Sequence, residues 1–116
     1  KFHGFSSEIH KIMAESAIYV SSSDYEGISN SMLEALAIGI PAVCTDCPVG
    51  GARMYIRDGE NGYLIPVGDA DVMADRMLAL MEDKKLGESF SKESVKIREE
   101  LTDDRIFGMW KALLVR

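Results

Sequence analysis

The chain has 116 residues, 47% of them apolar and 28% charged, with 13 Lys and Arg against 19 Asp and Glu for a net charge of −6. One domain of this size can bury a core without disulfide or metal staples. Its acidity argues against a nucleic-acid surface, which gathers Lys and Arg, but leaves room for one phosphate group held by backbone amides.

The first residues, Lys1-Phe2-His3-Gly4-Phe5-Ser6, hold no signal-like apolar stretch and no initiator Met, so the chain is expected to be a piece of a longer protein. Ser6 to Ser16 reads as a short helix with Ile9, Ile12 and Met13 on one face. Ala17-Ile18-Tyr19-Val20 reads as a buried strand running into the polar loop Ser21 to Gly27. A helix is expected over Asn30 to Ile38, ended by Gly39 and Pro41. The longest uncharged apolar run, Ala35 to Cys44, is broken by those same two residues and falls far short of the ~20 residues that span a bilayer.

Ala42-Val43-Cys44-Thr45 is a second strand without polar alternation, the pattern of a parallel sheet covered on both faces. A loop with Pro48, Gly50 and Gly51 leads to a short helix over Ala52 to Ile56. Asp58-Gly59-Glu60-Asn61-Gly62 is a turn, and Tyr63-Leu64-Ile65 a third strand. Asp69 or Asp71 caps a helix with Met73, Met77 and Met81 on its core side. The run Glu82-Asp83-Lys84-Lys85 is a solvated turn. Leu86 to Leu101 and Asp103 to Val115 are expected as two further helices, the last with an apolar stripe of Phe107, Trp110, Leu113 and Leu114.

This order gives one α/β domain over residues 1–116: a Rossmann-like parallel sheet with flanking helices. Three strands make a thin sheet, which supports the expectation of missing upstream strands. Ligands of such sheets bind beyond the carboxyl ends of the strands, so the loops after Val20 and Thr45 are the places to search.

The informative stretch is Glu26-Gly27-Ile28-Ser29-Asn30-Ser31-Met32-Leu33-Glu34. A Gly-bearing loop enters a helix start, where the amides of Ser29, Asn30, Ser31 and Met32 are expected to face outward. Such a start carries about half a positive charge and binds phosphate oxygens. Gly27 lets a ligand approach the backbone. There is no Walker Gly-Lys-Ser/Thr, and the missing Gly-x-Gly-x-x-Gly argues against a nicotinamide dinucleotide. Glu26 and Glu34, if both helical, would be ~12 Å apart in rise and ~80° apart in angle. That is too far for a glycosidase pair, which needs ~5–10 Å. It suits two contacts to separate parts of an elongated ligand. Glu34 also completes Ser31-x-x-Glu34, a capping box with a purely structural role.

The Glu-x7-Glu spacing, followed by Ala-Leu-Ala-x-Gly-x-Pro, resembles the retaining glycosyltransferases of family 4, which have the two-lobed GT-B fold. Phe2-His3-Gly4, Ala17 to Ser23, Thr45-Asp46-Cys47-Pro48-Val49-Gly50-Gly51 and Asp58-Gly59-Glu60-Asn61-Gly62-Tyr63-Leu64-Ile65-Pro66 are similar to further motifs of that family. The resemblance covers about residues 2 to 95. It implies an incomplete C-terminal lobe that binds a nucleotide diphosphate sugar, a UDP-sugar by family frequency, without a metal or other cofactor. Glu26 would accept bonds from donor-sugar hydroxyls and act as a positioning group. Gly27, Ile28, Ser29, Asn30 and Ser31 would hold the sugar and diphosphate, and Glu34 the ribose hydroxyls. The acceptor, a glycan or lipid-linked sugar in bacterial surface polysaccharide synthesis, would bind a lobe absent here. The family's Lys/Arg pair and catalytic His would lie outside this chain, so the isolated chain is expected not to turn over. Two Cys, Cys44 and Cys47, make no secreted disulfide framework, so a cytoplasmic location is expected, and the resemblance allows peripheral association of the parent protein with the inner face of the membrane.

Cys44-Thr45-Asp46-Cys47 is a Cys-x-x-Cys, but Pro48 and two Gly place the second Cys in a loop, against a redox helix. Two Cys and two His make a thin zinc set, so the thiols are read as inert. His3 and His10 show no visible partner in the sequence. The alternative to a transferase is a non-enzymatic flavodoxin-like signalling or phosphate-binding domain, disfavoured because no Lys falls at a strand end.

Overall fold

The computed structural model describes residues 1–115. Its elements, in order, are α1 (Ile9–Ala14), β1 (Tyr19–Ser21), α2 (Asn30–Ile38), β2 (Ala42–Thr45), α3 (Gly51–Tyr55), β3 (Gly62–Ile65), α4 (Ala70–Glu82), α5 (Lys84–Ser94), α6 (Ile97–Glu100) and α7 (Asp103–Leu114). The three strands form one parallel sheet in the order β1-β2-β3, with Val20 beside Val43 and Val43 beside Tyr63. This is the expected Rossmann-like sheet with flanking helices. Among the described residues no helix is long and apolar enough to cross a membrane.

The central strand shows why the fold closes on both faces. All four residues of β2 are buried. Ala42 and Cys44 point one way, into a cluster with Met32, Leu36, Ile56 and Ile97 from α2, the end of α3, and α6. Val43 points the other way, onto Ile65, Leu80 and Phe90, with α4 and α5 covering that side. The alternation is the period-2 geometry of a strand. Burying each large side chain of these clusters contributes roughly 1.5–3 kcal/mol. The Tyr63 ring tilts against Phe90 at 5.1 Å, and the Arg76 guanidinium sits over the Tyr63 ring, 4.9 Å from its centre.

Helix ends follow their local chemistry. Gly39 ends α2 in a left-handed conformation (φ 97°), and its N–H donates to the carbonyls of Ala35 and Leu36. Asp69, the first of the two candidate caps, accepts from the Val72 amide. Asp83, in the charged turn, accepts from Leu86 and starts α5. The strand expected as buried over Ala17 to Val20 is β1, Tyr19–Ser21, an edge strand whose Val20 is exposed. Three further expectations fail. The first helix is shorter than Ser6 to Ser16, because Ser6 and Ser16 turn their hydroxyls onto nearby backbone, at Glu8 N and Ile12 O. The helix expected from Leu86 to Leu101 is divided into α5 and α6. Beyond Ser94 the amides of Lys96, Arg98 and Glu99 bond three residues back, to Glu93, Val95 and Lys96. The Ser94 hydroxyl competes there by sharing its one proton between the carbonyls of Phe90, at 2.8 Å, and Asn61, at 3.0 Å. Met73 and Met77 do pack on the core, whereas Met81 is exposed, a turn further along α4.

Candidate functional site

The loop from β1 to α2 lies at the carboxyl end of the sheet and is fastened to the loop after β2. The Thr45 hydroxyl donates to the Ser23 carbonyl. The Glu26 amide donates to the Pro48 carbonyl at 2.8 Å, and the Val49 amide returns a bond to the Glu26 carbonyl at 3.0 Å. The backbone of Glu26 is therefore held from both sides while its side chain stays exposed. Gly27 has open space where a side chain would stand, and Gly51 lies directly against the Gly27–Ile28 peptide.

The helix start is organised by hydroxyls. Ser29, in an extended conformation, is the N-cap of α2, and its Oγ accepts from the Met32 amide at 3.3 Å. Met32 is thus engaged, contrary to the expectation of four outward amides. The amides of Gly27, Ile28, Ser29, Asn30 and Ser31 donate to no protein group among the described residues. The Ser31 hydroxyl lies 2.7 Å from the Tyr19 hydroxyl and 3.0 Å from that of Ser29.

With Ser29 as N-cap, Glu34 falls beyond the third helical position, and the Ser31-x-x-Glu34 capping box is not formed. Its half-exposed carboxylate instead lies 3.3 Å from His10 Nε2 on α1. His10 therefore has a partner that the sequence did not reveal, because the meeting of α1 and α2 is tertiary.

Glu26, Gly27 and Ser29 line one cleft with Ser21, Met32, Cys44, Thr45, Cys47 and Ala52. Its volume of about 10 Å³ holds little more than one water-sized group, so a larger ligand has to lie across the rim. Ile28, in the loop before the N-cap, and Asn30, Ser31 and Glu34, on α2, are outside that lining. Cys44 and Cys47 are both free and buried. Burial pushes the Cys44 thiol up to about 12, with a smaller upward push from Cys47 and an opposing bond with Ser21. The Cys44 sulfur is thus a neutral, inert wall at neutral pH. At the outer rim Arg53 forks onto Asp46, its Nε 2.9 Å from Oδ1. That hydrogen bond, then the charge of Asp46, holds the guanidinium even more firmly protonated. Among the described residues no group of three His, Cys, Asp or Glu side chains is placed to hold a metal ion.

A parallel α/β sheet with uncovered amides at a helix start, at the carboxyl end of a strand, is an arrangement that can hold a phosphate group. The family described as Glycosyl transferases group 1 matches residues 1–97, and the chain belongs to it. It is 35% identical, over 97% of its length, to the EpsD protein of Bacillus subtilis, named as a glycosyltransferase, and covers 30% of that protein. It is 33% identical to the poly(ribitol-phosphate) alpha-N-acetylglucosaminyltransferase of Staphylococcus aureus, covering 92% of this chain and 22% of the relative. The chain thus spans a third or less of the length of these relatives. Among solved structures it is similar to S. aureus TarM in complex with fondaparinux, alpha-GlcNAc-glycerol and UDP, with a TM-score of 0.89 and 30% identity over 98% of this chain and 23% of that one. It is also similar to the pneumococcal O-GlcNAc transferase GtfA in complex with UDP and GlcNAc, with a TM-score of 0.76 and 29% identity over 92% of this chain and 22% of that one. These neighbours are GT-B glycosyltransferases, and one relative, 33% identical over 74% of this chain and 25% of its own length, is named as a lipopolysaccharide core biosynthesis glycosyltransferase of Rhizobium meliloti.

Proposed function

We propose that the chain is the C-terminal, donor-binding lobe of a retaining glycosyltransferase of family 4. The enzyme transfers a sugar from a UDP-sugar to a glycan or lipid-linked acceptor of a bacterial surface polysaccharide. The observation that carries this reading is the row of unengaged amides from Gly27 to Ser31 between two accessible carboxylates, Glu26 and Glu34. The UDP complexes of TarM and GtfA support the choice of nucleotide.

In this reading the diphosphate lies over the start of α2, where amides and the helix dipole stabilise the charge that grows as the sugar departs. Glu34 accepts from the two ribose hydroxyls, and Glu26 from the transferred sugar. The acceptor attacks the face the diphosphate leaves, and a phosphate oxygen receives its proton, so no protein nucleophile and no metal are needed. The acceptor binds a lobe that this chain does not supply, at the cytoplasmic side of the membrane. A panel titration of the full-length enzyme with UDP, GDP and ADP tests the reading, with Glu34→Ala as the companion. UDP is expected to bind tightest, and Glu34→Ala to weaken it roughly ten-fold or more without loss of folding. A variant that loses thermal stability and keeps its UDP affinity overturns the ribose role.

A further inference from the structure

Tyr19 belongs to β1, ten residues before the N-cap Ser29 and outside the Glu26–Glu34 stretch, yet its hydroxyl reaches the start of α2. The Tyr19 hydroxyl is 2.7 Å from Ser31 Oγ, Ser31 Oγ is 3.0 Å from Ser29 Oγ, and Ser29 Oγ accepts the Met32 amide at 3.3 Å. The remaining separation, Tyr19 to Ser29, is 3.5 Å, at the outer limit of a hydrogen bond.

Three hydroxyls carry three protons but make only two short contacts. A phenol donates more readily than an alcohol, so Tyr19 gives its proton to Ser31, and Ser31 gives its own to Ser29. Ser29 Oγ then accepts from Ser31 and from Met32, which occupies both lone pairs. Its own proton is left over. Ser29 lines the cleft beside Glu26 and Gly27, so the spare proton belongs to the surface where those residues meet a ligand.

We propose that Tyr19 is a positioning residue for anion binding: through Ser31 it orders the Ser29 hydroxyl as a fixed donor to a phosphate oxygen of the donor nucleotide. The inference rests on the reading of this rim as a nucleoside diphosphate site. The Tyr19 ring is half-buried and packs against the core clusters beside α2, so its position is set by the fold. An ordered donor loses less freedom on binding than a rotating one.

The test uses the full-length enzyme, titrated with UDP and with uridine. Tyr19→Phe keeps the ring and deletes one oxygen. It is expected to weaken UDP roughly three- to ten-fold, the equilibrium worth of one hydrogen bond, and to leave uridine unchanged. Ser31→Ala breaks the same chain and should give the same selective loss. The double variant should lose no more than either single one, because both act through Ser29. Additive losses, unchanged UDP affinity in Tyr19→Phe, or equal losses for UDP and uridine with a lower melting temperature each overturn the proposal. Glu34→Ala separates the two layers. If it costs neither UDP nor uridine any affinity, the nucleotide reading falls and the role of Tyr19 with it. If it weakens both ligands while Tyr19→Phe weakens neither, only the role of Tyr19 falls.

Discussion

A Cβ placed on Gly51 would stand 2.0 Å from the carbonyl oxygen of Gly27 and 2.8 Å from the amide nitrogen of Ile28. Two loops at the carboxyl end of the sheet touch there, backbone to backbone, and the touch fixes the height of Gly27 below any ligand. Gly51→Ala is expected to destabilise the chain by about 1–3 kcal/mol through overpacking. The better helix propensity of Ala at the start of α3 offsets at most ~1 kcal/mol of that. Gly27→Ala is the control. It meets nothing within 4 Å and sits at an ordinary φ, so its stability should stay within about 0.5 kcal/mol of the parent. Its added methyl projects into the space assigned to the donor, so UDP binding should weaken. Urea denaturation and UDP titration of both variants read the two effects apart. A Gly51→Ala chain as stable as the parent would show that the loops are not in contact.

Asn61 illustrates how a turn residue becomes a core residue. It is only 2% exposed, its Oδ1 accepts from the Arg57 amide at 2.8 Å, and its Nδ2 donates to the Tyr55 carbonyl at 2.9 Å. Its own carbonyl accepts from the Ser94 hydroxyl at 3.0 Å, which ties the turn to α5. Asn61→Ala leaves the Arg57 amide and the Tyr55 carbonyl, both in partly buried bonds, without their partner, at a cost of about 1–3 kcal/mol. Asn61→Asp keeps the acceptor and loses the donor, and adds a buried charge, so it should be no milder. Denaturant midpoints of the two variants check this, and a loss under ~1 kcal/mol for Asn61→Ala would mean that water reaches the site.

Much of this was legible in the sequence, and the limits are physical. The end of α2 and the bounds of β2 were readable because Gly39 and Pro41 act on their own neighbours, and because a four-residue apolar strand has one place to go. The turn Asp58 to Gly62 was readable as a turn, since two Gly and an Asx residue act locally. The burial of Asn61 was not, because its partners Tyr55 and Ser94 depend on where α3 and α5 come to rest. The same holds at the site. The Gly-bearing loop and helix start could be read from spacing alone. The choice of Ser29 over Ser31 as N-cap could not, since both are Ser, and Tyr19 fixes the arrangement from another strand. Likewise Glu34 meets His10 only because α1 packs on α2.

Cys44 should make the chain sensitive to alkali. Its thiol is 2% exposed and burial holds its pKa at about 12, against 9.0 for a free thiol. Between those values the unfolded chain loses this proton and the folded chain keeps it. The folded state therefore binds more protons, and stability falls as pH rises. Its contribution is fully present below pH 9 and lost by pH 12, on the order of 4 kcal/mol. Cys44→Ala removes this term, though not those of other groups. Stability curves from pH 8 to 11 should therefore fall more steeply for the parent than for Cys44→Ala. Parallel curves would show that Cys44 ionises as readily folded as unfolded. In the native chain at pH 8, Cys44 should also resist a disulfide reagent that labels it after unfolding.

Trp110 is the single Trp of the chain, and it is 60% exposed on α7. With Ile106, Met109 and Leu113 it lines an open apolar groove, and no residue of α7 is buried. The stripe expected from the sequence is therefore present but turned to solvent. A wet indole emits at long wavelength and is quenched readily by acrylamide. Trp110 in the native chain is expected to do both, and unfolding in urea should shift its emission little, while circular dichroism reports the loss of helices. Because burial is what makes an apolar side chain stabilising, Trp110→Ser should change stability by no more than about 0.5 kcal/mol. A blue-shifted, poorly quenched indole, or a loss of several kcal/mol in Trp110→Ser, would mean that α7 folds back onto the sheet domain in solution.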